Sequence, residues 1–254
     1  MTGVQTCAFP IWGDAAVPEF PRRFDRFDPG RAGFAVAPRE VDAAWRRVPA
    51  ALRASLEMTA GRIGAFHGNQ LDDGFTASIP GAVLAQRVLP VSRAGIYVPG
   101  GKAAYPSTLL MNALPARVAG VPEVVAACSA PGGRVPDVVL AAARIAGVSS
   151  VYRVGGAQAI AALAFGTRSI PRVEVIAGPG NAYVTEAKRQ VFGVVGIDML
   201  AGPSELVVLA DRSAVPADVA ADLLPQAGHD EGAAVAPVTD PWALDPGVEP
   251  APRR

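Results

Sequence analysis

Between Ala50 and Phe66 the residues Leu52, Leu56, Ala60, Ile63 and Phe66 recur at helical spacing, while Arg53, Glu57 and Arg62 fall largely elsewhere on the wheel. The spacing predicts an amphipathic helix, with Pro49 at its start, where a missing amide donor costs nothing. Val83 to Val91 reads as a strand leading through Arg93 into a second apolar run, Ala94 to Val98, which ends in Pro99-Gly100-Gly101. Short apolar runs then alternate regularly with helical segments. Strands are predicted at Val124 to Cys128, Ser150 to Val154, Val173 to Ala177 and Leu206 to Ala210. The helices between and after them are Val135 to Ala146, Ala157 to Phe165, Asn181 to Val191 and Pro216 to about Ala227. Such alternation implies βαβ units with right-handed crossovers and a mostly parallel sheet covered on both faces, so the fold class is α/β.

The two ends depart from this pattern. Residues 1–13 carry neither a helical nor a strand period and read as a non-native leader, which is set aside in reasoning about the fold. After about Val238 the pattern fails, and Pro241, Pro246, Pro250 and Pro252 crowd a tail, residues 241–254, that is either a linker or the product of a frameshift.

Composition narrows the function classes. The chain has 254 residues, half of them apolar, enough for one large or two modest α/β domains with buried cores. Its 23 basic and 23 acidic residues cancel, leaving no long-range field to draw in nucleic acid or an anionic membrane. Apolar stretches are broken by Arg, Asp or Gly well before the roughly 20 residues that span a bilayer, so the expected location is cytoplasmic. Cys7 and Cys128 have no metal-binding or redox spacing. Among the apolar residues Val124 to Ala127, Cys128 is expected to be a core residue with a raised thiol pKa.

In open parallel sheets ligands bind beyond the carboxyl ends of the strands, so the residues just after each apolar run carry the candidate chemistry. Tyr97 stands near a strand end beside the Gly100-Gly101 pair, and Gly155-Gly156-Ala157-Gln158 places a carboxamide in the first turn of a helix. Gly178-Pro179-Gly180-Asn181 opens another helix, whose free amides favour a phosphate or pyrophosphate. None of these is the G-x-G-x-x-G fingerprint, and each glycine cluster alone is explained as a tight βα turn. Gln226 and His229, three apart near a helix end, point to roughly the same side and form a candidate metal pair. His67, the other histidine, reads as structural. Ser204 lies in Gly202-Pro203-Ser204-Glu205, which has no nucleophile elbow and no spare histidine as base, so a triad hydrolase is disfavoured.

Taken in order and spacing, Tyr97 to Gly101, Val154 to Gly166, Gly178 to Lys188, Ile197 to Met199 and Gly202 to Glu205 resemble the histidinol dehydrogenase family, over about residues 34–240 and most strongly after Arg93. The resemblance implies two Rossmann-like α/β domains with mostly parallel sheets, one inserted in the other, as in the aldehyde/histidinol dehydrogenases, here truncated at the carboxyl terminus. A nucleotide-binding-like domain at 94–206 would interrupt a first, incomplete domain formed by 14–93 and 207–240. It further implies that Tyr97, Gln158 and Asn181 contact NAD, that Ser204, Gln226 and His229 contact substrate, and that Gln226 and His229 are two of the zinc ligands. The family oxidises L-histidinol to L-histidinaldehyde and then to L-histidine, the end of histidine biosynthesis, with two NAD in succession. The resemblance also implies that Zn2+ holds the substrate and that the complete protein is a homodimer.

An alcohol oxidation needs a base for the hydroxyl proton, and in the family a consecutive Glu-His pair serves, with a further Asp and His completing the zinc site. These are expected beyond residue 254, so this chain by itself is expected to be inactive. The metal motif departs from the family's Ser-Gln-Ala-Glu-His-Asp, reading Pro225-Gln226-Ala227-Gly228-His229-Asp230. Proline within a helix costs on the order of 3 kcal/mol and glycine about 1 kcal/mol, and both flank the ligand pair. The alternatives are a related dehydrogenase of another polar alcohol, an inert NAD-binding fragment and an unstable remnant.

Overall fold

The computed structural model describes residues 17–30, 33–100, 103–202, 205–208, 210, 213–227 and 233–235. The chain falls into two compact units, residues 1–200 and 201–254.

The first unit is organised by a five-stranded parallel sheet. Its strands are β3 (Arg93–Val98), β4 (Glu123–Cys128), β5 (Ser150–Arg153), β6 (Val175–Ala177) and β7 (Gly196–Ile197), following a separate hairpin of β1 (Phe75–Ile79) and β2 (Ala82–Gln86). The helices are α1 (Pro38–Arg47), α2 (Ala50–Gly68), α3 (Pro106–Val118), α4 (Asp137–Ile145), α5 (Gly156–Phe165) and α6 (Ala182–Val191). The strand order is β5-β4-β3-β6-β7. The chain therefore builds outward from β3 through β4 to β5, then returns by α5 to lay β6 against the other side of β3, where Ala94 pairs with Val175. This reversal is the topological switch point at which open α/β sheets form a ligand crevice.

Strand alternation divides the interior in two. Ile96, Val98, Val124, Ala126, Cys128 and Val151 face one core with residues of α1 to α4, while Tyr97, Val125, Ala127 and Tyr152 face the other with α5 and α6. In α5 every residue from Ala157 to Ala164 is buried, as expected of a helix that is apolar on all sides. Helices α1 and α2, which the sequence groups with residues 207–240, pack in this unit against α4 and α3.

Several elements differ from the sequence reading. The Val83 to Val91 strand is instead β2 of an antiparallel hairpin turned by Pro80-Gly81, with Gly81 at φ 79°, a conformation glycine adopts without strain. Helices α1 and α3 and strands β1 and β7 are additions. In α2 only Leu56 and Ala60 are buried, and Leu52 and Phe66 are exposed. At 19 residues α2 is about 28 Å long, against about 20 Å for the 13-residue α3 on which it packs.

The second unit contains β8 (Glu205–Val207), α7 (Pro216–Ala227) and β9 (Ala233–Val235), with β8 and β9 paired in parallel as a βαβ element. Helix α7 continues through Pro225 to Ala227. Residues 1–16 and 236–254, which include the leader and the proline-rich tail of the sequence reading, lie outside the described residues. No described helix is long and apolar enough to cross a membrane.

Candidate functional site

The carboxyl ends of β3, β4, β5 and β6 deliver the turns singled out in the sequence. Tyr97, 3% exposed, extends from β3 beneath the start of α5, where its phenolic oxygen accepts a 3.0 Å hydrogen bond from the Gly156 amide and lies 3.5 Å from Ser129 Oγ. Burial raises the Tyr97 pKa above its ordinary value, with the Ser129 and Gly156 contacts opposing the rise. The hydroxyl thus remains a neutral strut between β3 and α5. Gln158, 6% exposed, stands in the first turn of α5, its carboxamide 2.8 Å from where a side chain on Gly156 would begin.

Asn181 is exposed and is the N-cap of α6, where its Oδ1 accepts 3.1 Å hydrogen bonds from the Tyr183 and Val184 amides. Tyr97 and Gln158 therefore converge on Gly156, and Asn181 organises the neighbouring turn after β6, on the other side of β3. The glycines are accounted for by close packing within the protein. A Cβ on Gly155 would fall 2.0 Å from Ser129 Oγ, and one on Gly180 would fall 2.3 Å from a Val184 methyl. Gly178 has φ 126°, and a Cβ there would meet the Tyr97 carbonyl oxygen at 2.1 Å.

Three residues in this region were not among the site residues predicted from the sequence, although Lys188 and Asp198 lie within its family-like motifs. Ser129 follows the apolar run of β4 and was available to the same strand-end criterion as Tyr97. Lys188, 3% exposed, donates to the Gly178 carbonyl at 3.0 Å and forms an ion pair with Asp198, which also accepts from the Gly178 amide at 2.8 Å. The signal for Lys188 was its place in α6 on the buried face made by Val184, Ala187 and Val191. Its pairing with Asp198, beyond the helix and at the end of β7, has no local signature.

The remaining site residues of the sequence reading do not enter this geometry. Ser204 and His229 lie outside the described residues, and of Gln226 only its place in α7 is described. No three His, Cys, Asp or Glu side chains among the described residues are grouped to hold a metal. A cleft of about 340 Å³ between α1 and the start of α4 is a poorer candidate, because its charged groups satisfy one another. Arg47 and Arg134 pair with Asp137 there, and Glu40 pairs with Arg153.

Chemically, the switch point offers the amino ends of α5 and α6, a buried carboxamide and an exposed one. The Gly156 amide is taken by Tyr97 and the Tyr183 and Val184 amides by Asn181, so it is the partial positive charge of the two helix ends that suits an anionic dinucleotide, and in that respect the residues fit NAD.

The Histidinol dehydrogenase family profile matches residues 10–250. The histidinol dehydrogenase of Parasynechococcus marenigrum is 55% identical over 242 residues, covering 94% of this chain and 55% of the relative. That of Rhizobium meliloti is 52% identical over 244 residues, covering 95% and 56%. The crystal structure of histidinol dehydrogenase from Elizabethkingia anophelis superposes with a TM-score of 0.88 at 33% identity, over 93% of this chain and 55% of that one. The chain thus spans about half the length of these relatives. On the α/β fold, the register of its motifs and these matches, the chain belongs to the histidinol dehydrogenase family.

Proposed function

We propose that the whole protein is a cytoplasmic, homodimeric histidinol dehydrogenase that oxidises L-histidinol to L-histidine through L-histidinaldehyde, and that residues 93–198 form its NAD-binding part. The observation that carries this reading is the switch point between β3 and β6, with Gln158 and Asn181 at the amino ends of the two adjacent helices. Bound there, NAD would supply the hydride acceptor. Tyr97 would keep the 155–158 turn in place, Gln158 would orient the cofactor through its carboxamide, and Asn181 would hold the start of α6 toward the pyrophosphate.

Ser204, Gln226 and His229 are assigned to the substrate, with Gln226 and His229 also assigned to zinc, by family resemblance alone. The sequence contains no Glu-His dipeptide, since His67 follows Phe66 and His229 follows Gly228. The 254-residue polypeptide by itself is accordingly expected to yield no NADH from L-histidinol and NAD.

The reading is tested by titrating NAD into the chain by calorimetry. Binding in the wild type that weakens in Gln158→Ala and Asn181→Ala supports it. Absence of NAD binding by the folded wild-type chain overturns it.

A further inference from the structure

We infer that Lys188 and Asp198 are positioning residues that lock the 178–181 turn in the orientation its ligand requires. The inference rests on reading that turn as part of the NAD site. Both backbone polar groups of Gly178 are held by this pair: the amide by Asp198 at 2.8 Å and the carbonyl by Lys188 at 3.0 Å. The lysine and the aspartate also pair with each other, so the three residues form a closed hydrogen-bonded ring.

The ring acts where the turn has least freedom. Gly178 sits at φ 126° against the Tyr97 carbonyl, so it joins the end of β6 to the end of β3. From Gly178 the chain reaches the Asn181 cap in three residues, and the cap sets where the first amides of α6 point. Lys188 lies further along the same helix, so the pair closes a loop from the body of α6 and the end of β7 back to the residue that introduces α6.

Lys188 is 3% exposed and its charge is matched by Asp198. Its role toward an anionic cofactor is therefore geometric. Removing one partner strands a buried charge, whereas removing both leaves a neutral pair of similar shape. The double variant Lys188→Met/Asp198→Asn thus separates positioning from folding.

NAD affinity of the 254-residue chain is measured by titration calorimetry, together with the melting temperature and amide exchange at Gly178 and Asn181. The expected result is a double variant that remains folded, exchanges faster at both amides and binds NAD about tenfold or more weakly. Lys188→Arg, which retains the charge and can donate to both partners, is expected to recover most of the affinity; a purely structural role would tie affinity to melting temperature instead. Should the double variant not fold, Lys188→Met alone, which leaves unpaired only the Asp198 carboxylate whose side chain is 30% exposed, carries the same expectation. Undiminished NAD affinity in a variant with faster exchange at the turn overturns the positioning role and leaves the NAD site standing. A wild-type chain that binds no NAD removes the site itself, and the positioning role with it.

Discussion

The phenolic oxygen of Tyr97 accepts the amide of Gly156 across 59 residues of sequence, tying the end of the central strand to the first turn of the most buried helix. Tyr97→Phe keeps the ring and deletes the acceptor, leaving the amide without this partner in a part-buried setting. The expected cost is about 1–3 kcal/mol of stability, read by urea unfolding. A cost near zero would mean that water replaces the hydroxyl.

Gly178 and Gly61 should respond in opposite directions to the same substitution. At Gly178 an added Cβ would meet the Tyr97 carbonyl oxygen at 2.1 Å with φ at 126°, so Gly178→Ala is expected to destabilise by more than about 2 kcal/mol. Gly61 lies inside α2 with nothing within 4 Å of the Cβ position. Gly61→Ala is expected to stabilise by about 0.5–1 kcal/mol. Thermal melts of the two variants check both signs.

Cys128 is 2% exposed, and burial pushes its thiol from 9.0 up to about 12. Mass spectrometry after iodoacetamide treatment at pH 8 is expected to find Cys128 unmodified in the native protein and modified after denaturation. Because the folded thiol holds its proton more tightly than the unfolded one, its contribution to stability is complete below about 9 and is lost as pH rises toward about 12. Cys128→Ala should flatten that alkaline loss.

Asp137, at the first position of α4, accepts two 2.7 Å hydrogen bonds from Arg47 of α1. The hydrogen bonds from Arg47 hold its carboxyl below the ordinary 3.8. The sign is that of a depressed acid: stability from the pair is present above pH 3.8 and is lost as pH falls through the folded value. Arg47 is 54% exposed, so solvent screens the pair and Arg47→Ala should cost little stability at neutral pH. Acid unfolding of Asp137→Asn beside the wild type checks the pH dependence.

Strands β3 and β4 were legible because each, after its first residue, is an apolar run buried from both faces, as in Val124 to Cys128, with turn residues on either side. Helix α3 was not, since Pro115 stands inside it and its apolar residues do not concentrate into one clear stripe. Strand β7 has two residues and owes its existence to pairing with β6, a long-range fact without a local pattern. The same division runs through the site. Tyr97, Gln158 and Asn181 were found as residues at element ends, whereas the Gly178 contacts of Lys188 and Asp198 depend on β7 arriving beside β6.

The strand order also gives the switch point a history. Strands β3, β4 and β5 are consecutive in the chain and adjacent in the sheet, so as the polypeptide emerges during synthesis they can associate before β6 exists. Strand β6 must then return past that assembled half to pair with β3, a contact of large sequence separation and correspondingly slow closure. The switch point is thus a seam between an early and a late half of the sheet. A ligand that bridges Gln158 on the early side and Asn181 on the late side would act as a clasp, making completion of the fold and occupancy of the site one linked equilibrium.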